Sequence, residues 1–231
     1  RLNGAKKIIG PIDLNVWFGN RFQTQGFERQ FTWAPCNPPE YFEAALSNGY
    51  QKDQGYSSRF YNAMDAQVNR TKPGYDLATQ EGYTFRHMDL NSSEDIKRLY
   101  ELNIDSFKIN YLYEPISQGQ YFKTHIEFIK NTDLGYSYFI SDCNHVPRGY
   151  IYSFMQDDIL IIKSILIESE YQGAKLSSAL IYQSFSKALA KGVTKGAGVM
   201  IRDGNVSSKF YDKIGEPFLV HRYHMVSKDL F

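Results

Sequence analysis

The sequence predicts an α+β (mixed α/β) fold with a central mixed, mostly antiparallel sheet flanked by helices, and two observations carry that prediction. The first is the order of patterned segments from residue 83 onward: strand, two helices, three strands, helix, strand, helix, strand. Such a mixture of hairpin and strand-helix-strand crossover fits one sheet. The second is bulk. The chain has 231 residues, 42% apolar and 16% aromatic, enough for a sizeable core in one large domain, or in one domain and a fragment.

Each element has a local reason. Tyr83 to Met88 alternates as a half-buried strand does. Asn91 to Asp95 supplies cap residues and first-turn carboxylates for a helix with Ile96, Leu99, Tyr100 and Asn103 at helical spacing. A second helix is predicted over Ser117 to Asn131, where Tyr121, Phe122, His125, Phe128 and Ile129 recur at three- and four-residue steps. Strands follow at Gly135 to Ser141, Gly149 to Gln156 and Ile159 to Ile167, the last two a hairpin about Asp157-Asp158. Leu176 to Lys191 reads as a helix stopped by Gly192, Ala197 to Ile201 as a buried strand, Asn205 to Ile214 as a capped helix, and Phe218 to Val226 as the final strand.

The N-terminal region has its own pattern: a strand and turn over Lys6 to Ile12, a proline-initiated helix from Asn37 to Tyr50, then alternating Tyr56, Ser58 and Phe60. Its aromatic residues, Trp17, Phe18, Phe22, Phe27, Phe31 and Trp33, are expected in core or interface. Asn62 to Glu81, poor in aliphatic residues and holding Pro73-Gly74, reads as a linker or long loop. The expected organisation is therefore residues 1–80 as a partial half-domain with linker and residues 81–231 as a complete domain. The chain opens on Arg1 rather than Met, which suggests a fragment.

Charge narrows the function classes. With 26 basic and 25 acidic residues spread over both halves, no field gathers nucleic acid or an anionic membrane. No apolar run reaches the ~18–20 residues that cross a bilayer, and a cytoplasmic setting is expected. Cys36 and Cys143 form no CxxC and no Cys/His cluster, so neither a metal nor a disulfide framework is expected, and both read as reduced packing residues.

The chemistry is concentrated in Lys163 to Leu180, where an apolar strand passes through a short polar turn into a helix with a small, polar first turn. Free amides and the helix dipole make such a terminus a phosphate site, and Gly173, Ala174, Ser177 and Ser178 leave room for a diphosphate. An ordinary strand-to-helix turn reads the same way on these grounds alone.

This segment resembles the signature of the GNAT acetyltransferase superfamily, Gln/Arg-x-x-Gly-x-Gly/Ala after the fourth strand. Gln172 stands at the first position with Gly173 beside it, while Lys175 replaces the central glycine and Ser177 the last small residue. A second likeness follows: Asn205-Val206-Ser207-Ser208-Lys209-Phe210-Tyr211-Asp212-Lys213-Ile214-Gly215 is similar to the family's Asn-x-x-Ala/Ser-x-x-Phe-Tyr-x-x-x-Gly helix. The N-terminal region resembles the tail of the first unit in tandem GNAT-like proteins.

The resemblance implies a GNAT acyl-CoA N-acyltransferase fold with a partial GNAT-like unit before it. It implies acetyl-CoA or another acyl-CoA as cosubstrate, and a primary amine of a small molecule, amino acid or peptide as acceptor, attacked directly. Gln172, Gly173, Ala174, Lys175, Leu176, Ser177 and Ser178 would form the phosphate cradle. Ile165, Leu166 and Ile167 would offer a main-chain N–H to the thioester carbonyl. Asn205 would contact pantetheine or cap its helix, with Ser208 beside it, and Tyr211 would protonate the departing thiolate. The general base is not readable from the residues: Glu168 at the strand end, Asp157 and Asp158 at its beginning, and His87 and His145 are the candidates, with Glu168 taken as catalytic, and members of the family often use a water chain instead. Tyr111, Tyr113, Tyr121 and Tyr223 are expected around the acceptor. The resemblance also allows a homodimer. The other reading is a catalytically degenerate acyl-CoA-binding or protein-interaction module, suggested by Lys175 and Ser177.

Overall fold

The structure, a computed structural model, describes residues 4–230. In chain order the elements are β1 (Lys7–Gly10), β2 (Phe22–Gln25), α1 (Glu40–Ser47), β3 (Gln51–Tyr61), α2 (Met64–Gln80), β4 (Thr84–His87) and α3 (Ser93–Phe107). They continue as α4 (Gln118–Tyr121), α5 (Glu127–Ile129), β5 (Tyr138–Ser141), β6 (Pro147–Gln156), β7 (Ile159–Ile167), α6 (Leu176–Leu189), β8 (Lys195–Arg202), α7 (Val206–Tyr211) and β9 (Leu219–Asp229). The architecture is the expected one, an open, mostly antiparallel sheet with flanking helices.

The chain divides into two compact units. The first comprises Arg1–Phe60, Tyr111–Glu114 and Gly198–Phe231, and the second Tyr61–Asn110 with Pro115–Ala197.

Within the first unit β9 is the organising strand. It pairs antiparallel with β1 and β2 along one edge and with β3 along the other. Tyr223 at its centre is fully buried, and Tyr56 and Phe60 of β3 are nearly so. Of the expected N-terminal aromatics, Trp17 and Phe31 are buried, and Phe22 meets Phe42 of α1 edge to face with ring centroids 6.2 Å apart. β2 was not legible in the sequence, because four residues reading Phe-Gln-Thr-Gln carry almost no apolar signal.

Within the second unit, β4, β5, β6 and β7 form an antiparallel run. β6 is buried on both faces and its alternation sorts them. Tyr150 reaches Asn103 of α3 through its hydroxyl at 2.8 Å, and Ser153 reaches Ser184 of α6 at 2.9 Å. α3 starts where expected: Ser92 accepts the Asp95 N–H as its cap, and the Asp95 carboxylate takes both arms of Arg86 at 2.6 and 2.7 Å. The predicted Ser117 to Asn131 helix is present but broken. A Ser117/Gln120 capping box opens α4, a π-helical turn over Phe122–Ile126 follows, and α5 closes the segment.

The stretch expected as a linker is α2, a helix of 17 residues. Its buried residues, Met64, Gln67, Thr71, Gly74 and Ala78, recur at steps of three and four, so helical periodicity exists but is written in small and polar side chains. The reason is closeness. A Cβ on Gly74 would lie 2.7 Å from the Ser178 Cβ and 3.2 Å from the Lys175 carbonyl oxygen, so α2 packs backbone-near against the first turn of α6.

Candidate functional site

The loop from β7 into α6 is held by a chain of polar contacts. The Glu168 N–H donates to the Arg148 carbonyl at 2.8 Å, the Tyr171 N–H to the Glu168 carbonyl at 2.9 Å, and the Gln172 side-chain amide to the Ile167 carbonyl at 3.3 Å. Arg148 lies 4.7 Å over the Tyr171 ring. The backbone then turns through two left-handed residues, Gly173 at φ 94° and Lys175 at φ 57°.

Those two residues aim the start of α6. The Ala179 N–H donates to the Lys175 carbonyl at 3.1 Å as the helix begins, and Lys175 at the cap position offers no side-chain bond. The amides of Leu176, Ser177 and Ser178 therefore enter the helix without intrahelical acceptors, as first-turn amides do. No acidic residue occupies that turn. Gln172, Gly173, Lys175 and Ser177 are exposed, Ala174 and Ser178 half-buried and Leu176 buried. No atom lies within 4 Å of where a Cβ on Gly173 would point. The glycine is there for its φ, and the space before it is open.

Lys175 is the departure from the family signature, and its backbone explains how it is accommodated. A residue in the left-handed region favours glycine by about 1 kcal/mol, and Lys175 adopts that conformation. Its Cβ lies 3.5 Å from where a Cβ on Gly74 of α2 would stand, so its stem begins beside α2.

Upstream, Ile165, Leu166 and Ile167 pair with Ile151, Tyr150 and Gly149 of β6. The register steps between Tyr152/Ser164 and Ser153/Ile162, which places a bulge at Lys163. The hairpin was legible and the bulge was not, because nothing in the residue types marks the extra residue.

In the first unit, α7 carries the second likeness. Asn205 precedes it in extended conformation without a side-chain cap bond, and its carbonyl accepts from the Ser208 N–H at 3.0 Å and hydroxyl at 2.9 Å. Tyr211 is 7% exposed, and its ring lies directly on β8. A Cβ on Gly198 would stand 2.1 Å from the phenol oxygen and 2.0 Å from the ring carbon bearing it, so glycine at 198 is what lets the phenol lie there.

These arrangements can be set beside solved proteins. No family profile matches the chain, and no curated protein matches it in sequence. In structure it is similar to a GCN5-related N-acetyltransferase from Sphaerobacter thermophilus, with TM-score 0.58 at 15% identity over 83% of this chain and 56% of that one. The fold is GNAT-like. A tandem GNAT protein from the clavulanic acid biosynthesis pathway also matches, with TM-score 0.55 at 12% identity over 90% of this chain. So does the glucosamine N-acetyltransferase region of a fungal multi-domain GH3 β-N-acetylglucosaminidase, with TM-score 0.57 at 11% identity over 87% of this chain. The chain spans 56% of the first of these structures, 62% of the second and 24% of the third.

The base candidates are dispersed. Both oxygens of Glu168 accept from guanidiniums, Oε1 from Arg98 and Oε2 from Arg148, each at 3.1 Å, and Arg148 also donates to Asp142 at 2.8 Å. Asp158 pairs with Lys195. It stands at the opposite end of β7 from Glu168, a strand of nine residues and thus roughly 30 Å long. His145 lies in the β5–β6 turn at φ 63°, and His87 packs tilted against the Tyr138 ring with its Nδ1 3.3 Å from the Ser137 carbonyl. Among the described residues no group of three or more His, Cys, Asp or Glu could hold a metal ion. Cys36 and Cys143, expected as packing residues, are both exposed and so do not pack in the core. Among the described residues no helix is long and apolar enough to cross a membrane.

Of the tyrosines expected around an acceptor, Tyr121 and Tyr223 are almost fully buried, while Tyr111 donates to Asp53 at 3.0 Å and Tyr113 meets Trp17 edge to face. The sequence missed a polar cluster in the second unit. Asn103 donates to the Tyr121 hydroxyl at 3.0 Å and accepts from Tyr150, whose hydroxyl also meets Ser164 at 3.0 Å. Burial pushes the Tyr150 phenol up to about 12. His125 stacks on Tyr121 at 5.0 Å, and burial, with Lys163 adding to it, pulls its imidazole down to about 4. Its Nδ1 is 2.6 Å from the Thr124 hydroxyl, which itself donates to the Gln120 carbonyl, so Nδ1 carries the proton. The i, i+4 spacing of Tyr121 and His125 was the available signal.

Proposed function

We infer that the chain is an acyl-CoA-dependent N-acyltransferase that moves an acyl group, acetyl in the simplest case, to a primary amine. The observation that carries this reading is the unobstructed start of α6, where first-turn amides, a left-handed Gly173 and a left-handed Lys175 leave the main chain open to a diphosphate. The GNAT-like fold supports it. Gln172 to Ser178 would hold the pyrophosphate, and a main-chain N–H of the Ile165 to Ile167 stretch would polarise the thioester carbonyl.

The reaction balances without a redox partner. The neutral amine nitrogen bonds to the thioester carbon, the C–S bond breaks, and the amine's surplus proton leaves through water. The departing thiolate takes a proton from the Tyr211 phenol, which is restored by that water. In this reading Asn205 with Ser208 supports pantetheine. Glu168, with both oxygens bound by guanidiniums, acts as the brace of the cradle loop rather than as the base.

Calorimetric titration with CoA and a thiol-release assay over an amine panel test the reading together. Tyr211→Phe is expected to lower kcat on the order of 10²-fold with CoA affinity unchanged, and an unaltered kcat would remove the phenol from the mechanism. A second reading, a binding module without turnover, is favoured by Lys175 at the glycine position and by the engaged Glu168. CoA binding with no acceptor turned over would select it, and absence of CoA binding would end both.

A further inference from the structure

The first unit contains a cation that the protein does not neutralise. Arg21, the residue before β2, has its guanidinium carbon 3.8 Å over the Tyr56 ring, and its Nε is buried with no hydrogen-bond partner. The charge is felt by two phenols, that of Tyr56, which also hydrogen-bonds it, and that of Tyr223. Burial holds Tyr223 well above the usual phenol range, so that hydroxyl is no anion. Among the described residues no carboxylate lies within 4 Å of this guanidinium, whereas Lys7 pairs with Asp53, Arg59 with Asp212 and Arg222 with Asp203.

A buried, uncompensated charge costs several kcal/mol, and arginine cannot escape by losing its proton. The backbone adds to the cost, because Arg21 sits at φ 75° in the left-handed region, where a side chain is strained by about 1 kcal/mol. The residue as a whole keeps partial exposure, while its Nε is buried. We propose that Arg21 anchors the carboxylate of a small organic acid or amino acid, with the Tyr56 ring stacked on the guanidinium to fix its plane. The planar fork matches a carboxylate's two oxygens. One cation fits a monoanion. A phosphate dianion would ask for a second basic group, and Lys7 and Arg222 are already paired with Asp53 and Asp203.

The test uses the full chain and no CoA, so it stands or falls apart from the acyltransferase reading. Acetate, benzoate and N-acetylglycine are each titrated calorimetrically against their carboxamide counterparts and against inorganic phosphate, at constant ionic strength. At least one carboxylate is expected to bind ten-fold or more tighter than its amide and than phosphate. Arg21→Gln should abolish that binding and Arg21→Lys weaken it about ten-fold. Equal binding of every acid and amide pair, tighter binding of phosphate, or undiminished binding by a folded Arg21→Gln would each overturn the proposal. The comparison of acid with amide on the unaltered protein decides the matter even if the variant does not fold.

Discussion

The two units differ in one buried charge. In the second, Glu168 gives each oxygen to a different arginine, Asp142 takes Arg148, Asp95 takes Arg86, and His125, with Lys163 nearby, is kept neutral by burial. In the first, Arg21 is buried against two phenols and keeps its charge. Matched charge is what a scaffold needs to hold a loop in place, whereas unmatched charge is tolerated only where something else supplies the counter-ion. The contrast therefore separates a framework around the β7–α6 loop from a place in the other unit that awaits a partner.

The largest effect expected from that contrast concerns His125. Unfolded, its imidazole titrates near 6.5, while in the fold it stays neutral down to about 4. Stability is then complete above pH 6.5 and falls as the pH drops from 6.5 to 4, by roughly 3 kcal/mol across the window. Urea denaturation as a function of pH should show this slope, and His125→Gln should flatten it. A slope unchanged by the substitution would mean that the imidazole is not neutralised by its surroundings.

Next comes Glu168→Gln, which leaves Arg98 and Arg148 facing each other without their shared anion. A loss of about 2 kcal/mol is expected, since the pair is half-buried rather than sealed. The same measurement on Arg21→Met should give the opposite sign, a gain of about 1 kcal/mol in the ligand-free protein, because an unpaired buried charge is replaced by an apolar chain of similar length. Two losses in place of a loss and a gain would break the comparison.

The smallest effect is at Lys175. Glycine there relieves the left-handed strain and should stabilise by about 1 kcal/mol. Calorimetry on the same variant shows whether the amine helps or hinders CoA. Destabilisation would mean that the lysine side chain holds the α2–α6 junction.

The legible parts of the fold were those whose residues announce themselves locally. β7 was read to its boundaries because Ile159 to Ile167 is almost wholly apolar between Asp158 and Glu168. α3 was read from Ser92 and its acidic first turn. α2 was lost because its buried face is Gln67, Thr71, Gly74 and Ala78, residues chosen for close approach and not for hydrophobicity. The polar turn from Gln172 to Ser178 was legible as a strand-to-helix turn, and the structure adds the left-handed conformation at Lys175, which no residue type could announce. Arg21 was invisible, since one arginine among 26 basic residues carries no mark of burial.

By itself, the sequence determined the alternation of strands and helices after residue 83, the polar turn before α6 and the existence of the short helix after Asn205, which ends at Tyr211 rather than Ile214, because those depend on neighbours a few residues apart. Only the tertiary structure decided which charges meet: Glu168 with arginines 70 and 20 positions away, and Arg21 with tyrosines 35 and 202 positions away. Electrostatic energy depends on distance and on the dielectric around each group, and both are set by packing between segments that the linear chain keeps apart.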